Sequence, residues 1–279
     1  MSGPAPAAPA WRENGGRDGL REPVLAALWR ARDLVWFFVL RDLRVRYSQA
    51  VLGVVWVLLQ PAATVVVFTF VFARLARVGS DGIPYPLFAL AGMVVWTYFS
   101  GAVSRGSEAL VGNPELVTKV SFPRVAAPAA AVLSPLVDLV VSLALLAVLL
   151  LVYRRSPGWA VLATPLWLVL VVLAALGTSL WLSALNVRFR DVKQALGPVL
   201  QVWLFASPVA YPSSALEGGT ALLYALNPMV GVIGLARWSL LGGPWPGWPL
   251  AVSSGVVLAV LVSGAAYFRR AQREFADVI

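Results

Sequence analysis

The chain has 279 residues, 59% hydrophobic and 13% charged, with a mean hydropathy of +0.80. Soluble domains are about 45–50% apolar and about 25% charged, so this composition excludes a water-soluble globular enzyme; it equally excludes a disordered chain, which is poor in hydrophobics and rich in charge. The net charge is +9 and both Cys and His are absent, which removes disulfides, thiol chemistry, imidazole bases and the commonest metal ligand.

Residues 1–23 are rich in Ala, Pro, Gly and Arg and hold no apolar core; they predict a mobile cytoplasmic tail and no cleaved signal peptide. Residues 24–47 predict a helix. Trp36, Leu40, Leu43 and Tyr47 share one stripe, with Arg41, Asp42 and Arg44 off it. Such a helix lies amphipathically in the membrane interface, aromatics at headgroup level and arginines toward the cytosol.

Long charge-free windows follow at 47–73, 82–104, 156–187, 194–216, 218–236 and 238–268, and 125–153 holds a single charge, Asp138. A membrane span takes about 20 apolar residues. The sequence therefore predicts an all-α membrane protein with a transmembrane domain over 48–268. Its six transmembrane helices fall roughly at 51–73, 84–104, 128–152, 161–186, 195–211 and 249–268, the short fifth one broken. The window 218–236 carries Gly218, Gly219, Asn227, Pro228, Gly231 and Gly234. That density predicts a re-entrant helical hairpin on the outer side over 212–240, since irregular backbone at membrane depth survives only inside protein or beside water. Residues 269–279 form a cytoplasmic C-terminus. With both termini inside, 17 basic residues lie inside and 5 outside; a seventh span gives 15 and 7, so the positive-inside rule favours six. The basic residues flank apolar windows, which points to membrane and not to nucleic acid.

The wording of several stretches is more specific: RDLRVRYSQAVLGVVWVLLQP at 41–61, IPYPLFALAGMVVWTYFS at 83–100, NPELVTKVSFPRVAAP at 113–128, NVRFRDVKQALGPVLQVWLFASPVAY at 186–211, NPMVG at 227–231 and FADVI at 275–279. In this order, over about residues 30–279, they resemble bacterial polysaccharide-export permeases, the type-two ABC transporter subunits that handle O-antigen, teichoic acid and related polymers. The resemblance implies a multi-pass protein of the bacterial cytoplasmic membrane that pairs with a second copy of itself and with two copies of a separate ATPase. Its cargo would be a glycan linked to polyprenyl phosphate. Neither Lys119 nor Lys193 follows a GxxxxGK[ST] loop, so no cofactor is expected on this chain and ATP and Mg belong to the partner ATPase. Pro114 and Pro123 frame a short segment, about 114–121, that resembles a coupling helix; Asn113, Glu115, Lys119 and Arg124 are its candidate contacts to the ATPase. The plainer reading of this segment is a solvated loop.

Phosphate at a bilayer surface calls for arginine, whose planar fork binds it bidentately. By resemblance Arg41, Arg44 and Arg46, with Tyr47 and Gln49, lie where a lipid headgroup would be met. Arg188 and Arg190 form a second basic cluster. Both clusters equally obey the positive-inside rule. A neutral glycan offers apolar C–H faces to aromatic rings. Trp56, Phe68, Phe70 and Phe72 in the first span, and Trp203, Phe205 and Tyr211 in the fifth, are candidate pore-lining residues, because the family's pore is formed there. Taken singly, each fits a lipid-facing or core position as well. Trp159, Trp245 and Trp248 read as an interfacial belt. Asp138, an intramembrane carboxylate costing roughly 2.5–3.5 kcal/mol to insert, reads as a structural hydrogen-bond acceptor near the inner end of its span. Two rivals remain at this level: an exporter of small lipophilic compounds on the same architecture, and a membrane-embedded transferase. The second lacks the clustered carboxylates or the His that such chemistry uses.

Overall fold

The computed structural model describes residues 24–48, 53–112, 123–189, 191–213 and 219–272. Among them every regular element is helical. The helices are α1 (Val24–Arg30), α2 (Arg32–Ser48), α3 (Gly53–Phe68), α4 (Tyr85–Glu108), α5 (Ala126–Leu133), α6 (Leu136–Val152), α7 (Thr164–Arg188), α8 (Asp191–Phe205), α9 (Gly219–Ala225), α10 (Pro228–Leu241) and α11 (Trp248–Ala271). Four helical stretches are long and apolar enough to cross a membrane: Tyr85–Glu108, Ala126–Val152, Trp159–Arg188 and Trp248–Ala271. They coincide with the second, third, fourth and sixth predicted spans. Pro61–Leu75 and Pro228–Leu241 are shorter apolar helices.

Helix boundaries follow local chemistry. Prolines occupy the first turn of α4, α7, α10 and α11, where a missing N–H costs nothing. Asn227 caps α10 by accepting from the Met229 amide at 3.0 Å, and Gly242 ends it in the left-handed conformation with φ 64°. Helix α3 contains Pro61 and runs on into a π-helical stretch, Thr69–Leu75. Wide turns of that kind are short and recur at functional sites.

Helix α4 is the axis of the bundle. Leu87, Phe88, Ala89, Ala91, Val95, Phe99, Ala102 and Val103 along it are fully buried, and it meets α3, α5, α6, α7, α8 and α10. The most extensive helix–helix contact is between α7 and α11. There Gly177 and Gly264 oppose each other: a Cβ on Gly177 would lie 2.7 Å from the Leu261 Cα, and one on Gly264 would strike the Gly177 carbonyl. Small residues at a crossing let two backbones approach, which drives helix association where water supplies no hydrophobic force.

Helix α2 lies against α5. Val35, Phe38 and Val39 are its buried face, continued by Ala31 just before it, while Trp36 is 62% and Leu40 38% exposed. Of the expected stripe, Trp36 and Leu40 thus face away from the protein, while Leu43 packs partly against its core. The helix carries two apolar faces, and the sequence expectation captured mainly the outer.

Candidate functional site

One end of the bundle gathers charge. Arg46, in the last turn of α2, pairs directly with Asp138, in the first turn of α6. Arg105, in the last turn of α4, places Nη1 3.5 Å from the same carboxylate oxygen. The side chains of Arg46 and Asp138 are 24% and 21% exposed, so this pair is partly desolvated and attracts more strongly than it would in water, while Arg105, 41% exposed, is more screened. The N-terminal turn of α6 also favours a negative group. Ser142 donates to the Asp138 carbonyl at 2.9 Å. Asp138 therefore meets two cations from distant parts of the chain, more than the hydrogen-bond acceptor that the sequence suggests. At the same end Lys193 bridges Glu108 at 2.9 Å, joining the start of α8 to α4, and Asn186 donates to the Ser107 carbonyl at 3.0 Å.

Above this cluster opens a cavity of about 530 Å³. Asp138 and Arg105 form its charged wall; Thr97, Ser100, Ser104, Ser142 and Gln201 add neutral polar groups, and Pro61, Gly197 and Leu204 bring α3 and α8 to its rim. Trp96 also lines it and belongs to an aromatic group with Phe99 and Trp203. Trp203 meets the Phe99 ring edge-on at 5.1 Å and the Trp96 ring at 6.2 Å. Trp203 is held in place: its Nε1 donates to Asn227 Oδ1 at 3.0 Å, and Asn227 Nδ2 donates to the Ala206 carbonyl and to Ser207 Oγ. One asparagine thus caps α10 and fixes the end of α8.

At the opposite end a single arginine is buried among the described residues. Arg237 on α10 is 6% exposed. Its Nη2 donates to the Val209 carbonyl at 2.7 Å and its Nε to the Phe88 carbonyl at 3.2 Å. Its guanidinium carbon sits 3.4 Å from the centre of the Phe88 ring. Gly92 makes room: a Cβ there would lie 2.8 Å from Nη2. Tyr85 donates to the neighbouring Ala210 carbonyl at 2.7 Å.

A family description for ABC-2 type transporters matches residues 33–241. The chain belongs to the ABC-2 type transporter family. It is 32% identical over 260 residues to the O-antigen export system permease protein RfbA of Myxococcus xanthus, covering 92% of this chain and 99% of that one. To a protein of the same name from Klebsiella pneumoniae it is 24% identical over 250 residues, covering 88% and 95%. To the polysialic acid transport protein KpsM of Escherichia coli it is 23% identical over 226 residues, covering 80% and 84%.

Within this ABC-2 transporter the sequence candidates separate clearly. Arg46 reaches the cavity-side cluster. Arg41 pairs with its neighbour Asp42 at 3.0 Å and covers the Phe38 ring at 5.1 Å. Arg44 is exposed on α2, and Arg188 is exposed over the Phe189 ring at 5.5 Å. Phe68 is buried and meets Phe72 edge-on at 5.3 Å. Phe70 and Phe205 are 60% and 54% exposed. Tyr211 donates to the Phe205 carbonyl at 2.8 Å and stands 6.2 Å from Tyr224. Arg124 donates to the Gln272 carbonyl at the end of α11, and burial pushes its guanidinium below the ordinary value. Gln49, Asn113, Glu115, Lys119 and Arg190 lie outside the described residues, as do the side chains of Tyr47 and Trp56. Arg105, Arg237 and Asn227 were not among the site candidates. Arg105 and Arg237 look like ordinary flanking charges in sequence, and Asn227 carried a signal only through its place in the NPMVG stretch.

Proposed function

We propose that this chain is the membrane subunit of an ATP-driven exporter that moves a glycan linked to a polyprenyl phosphate across the bacterial cytoplasmic membrane. The observation that carries the reading is the end-to-end similarity to an O-antigen export permease: 32% identity over 99% of that protein's length. The polysialic acid transport relative supports the same class of cargo. The two functional protomers would be copies of this chain, each joined to one copy of a separate ATPase that holds ATP and Mg.

The finer arrangement belongs to the same proposal. The four long helices, α3 with its π-helical continuation and α8 would make the six spans. The two short helices α9 and α10, meeting at Asn227, would make the re-entrant hairpin of the outer side. The charged end with Arg46, Arg105 and Lys193 would face the cytosol, with both termini. The ATPase would engage the segment about 114–121. The hydrogen bond from Arg124, just beyond that segment, to the Gln272 carbonyl at the end of α11 supports this. Headgroup capture would fall to the arginines of α2 and to Arg188 and Arg190. The exposed Phe70 and Phe205, with the anchored Trp203, would present ring faces to the sugar chain.

The test is ATP hydrolysis by the chain co-purified with its ATPase. Polyprenyl-linked glycan is expected to stimulate it, while free sugar and hydrophobic drugs do not. Stimulation by drugs alone, or no association with any ATPase, rejects the reading.

A further inference from the structure

Of all the charged groups described, Asp138 is placed most unusually. It sits between two arginines brought from different helices, with sequence separations of 92 and 33 residues, at the wall of a 530 Å³ cavity. We propose that Asp138 is an internal stand-in for phosphate: its carboxylate occupies an anion position between Arg46 and Arg105, and a phosphoester ligand must displace it to enter. The inference rests on the exporter reading and deepens it by naming a residue that selects the cargo's headgroup.

The charge balance favours exchange. Two guanidinium groups face one carboxylate oxygen. The diphosphate that joins a lipid to a glycan is esterified at both ends and carries about −1, with two free acceptor oxygens, on each phosphate, so the two together outweigh one carboxylate. It matches two planar forks better than a carboxylate does. Neutral donors surround the position: Ser100, Ser104 and Gln201 line the same cavity and can meet the remaining oxygens. A lipid without phosphate has nothing to offer the two arginines once Asp138 leaves, so it cannot open the pair. The acid thereby sets a threshold that neutral lipids fail. Displacement also cuts the direct tie between α2 and α6, leaving α2 held by its apolar face on α5. The other arginines of α2 do not share this geometry: Arg41 is engaged by Asp42 on its own helix.

The test uses the chain with its ATPase in lipid nanodiscs. Labelled polyprenyl diphosphate is the probe; polyprenol and inorganic diphosphate are the comparators. Asp138→Asn is expected to tighten polyprenyl diphosphate about tenfold and to leave polyprenol binding unchanged; Arg105→Gln is expected to weaken the diphosphate lipid about tenfold. Asp138→Glu, which keeps the competing charge, is expected to bind like the wild type. Asp33→Asn, which removes an exposed acid from the same helix α2, is expected to change nothing, and an effect equal to that of Asp138→Asn would show a general charge effect and overturn the proposal. Competition by inorganic diphosphate assigns the site to phosphate alone; lack of competition assigns it to phosphate delivered on a lipid, and both support an anion site. Unchanged affinity in Asp138→Asn overturns the proposal and leaves Asp138 a structural counter-ion. Should that variant not fold, unchanged affinity in Arg105→Gln overturns it as well. The two readings fail separately. Glycan-stimulated ATP hydrolysis with an unaffected Asp138→Asn affinity sinks only the stand-in. The expected affinity pattern without glycan stimulation sinks only the exporter.

Discussion

Arg237 shows how much one side chain can hold. Its hydrogen bonds to Phe88 and Val209 carbonyls and its contact with the Phe88 ring join α4, α10 and the turn after α8. Hydrogen bonds from a charged donor are worth about 1.5–3 kcal/mol each. Arg237→Met is therefore expected to lower the midpoint of thermal unfolding in detergent clearly, and Arg237→Lys to recover less than half, because one ammonium lacks the planar fork that reaches both carbonyls. An unchanged midpoint in the methionine variant would contradict this role. Asn227 invites a milder test. Asn227→Ala removes the cap of α10 and the partner of Trp203. A lost cap costs about 1 kcal/mol, and the freed indole should show as a shift in tryptophan emission; emission and stability both like the wild type would show that the asparagine anchors nothing.

At the scale of the helix, the decisive contact is the crossing of α7 and α11. Gly264→Val drives a branched side chain into the Gly177 carbonyl, and overpacking of even a soluble core costs about 1–3 kcal/mol. Loss of monodisperse protein on size exclusion is expected. Gly255→Val on the same helix meets nothing within 4 Å and is expected to purify normally. Equal yields from the two would mean that the crossing tolerates separation. Helix α2 makes the complementary point. Its buried face of Val35, Phe38 and Val39 docks on protein, while Trp36 and Phe37, 62% and 61% exposed, are turned outward. A helix with two apolar faces lies naturally between a bundle and a lipid surface.

For the whole molecule the absence of cysteine is an experimental gift, since any introduced thiol is unique. The proposed topology of six spans with both termini inside puts the turn after α6 outside. A membrane-impermeant maleimide added to intact cells is expected to label Arg154→Cys and to spare Arg270→Cys. Labelling of the second from outside would place the C-terminus outside and reject six spans with both termini inside.

Composition and its patterning fixed the class of this protein, because 59% hydrophobic content in long charge-free windows suits continuous membrane helices and not the short alternating strands of a barrel. Window lengths placed the four long helices within a few residues. The ordered motifs gave the family, since they are local strings that need no folding to be recognised. What the sequence could not give were the meetings of residues far apart. Asp138 looks solitary over residues 125–153, yet it finds Arg46 and Arg105 because α2, α4 and α6 converge at one end. Arg237 counts as a surface charge by its flanks and is buried only because Gly92 and the Val209 turn leave it a niche. The second face of α2 escaped for the same reason: periodicity shows that apolar stripes exist, but only the position of α5 decides which stripe is covered. Local chemistry sets the helices; the charges and small residues acquire their roles from which helices stand side by side.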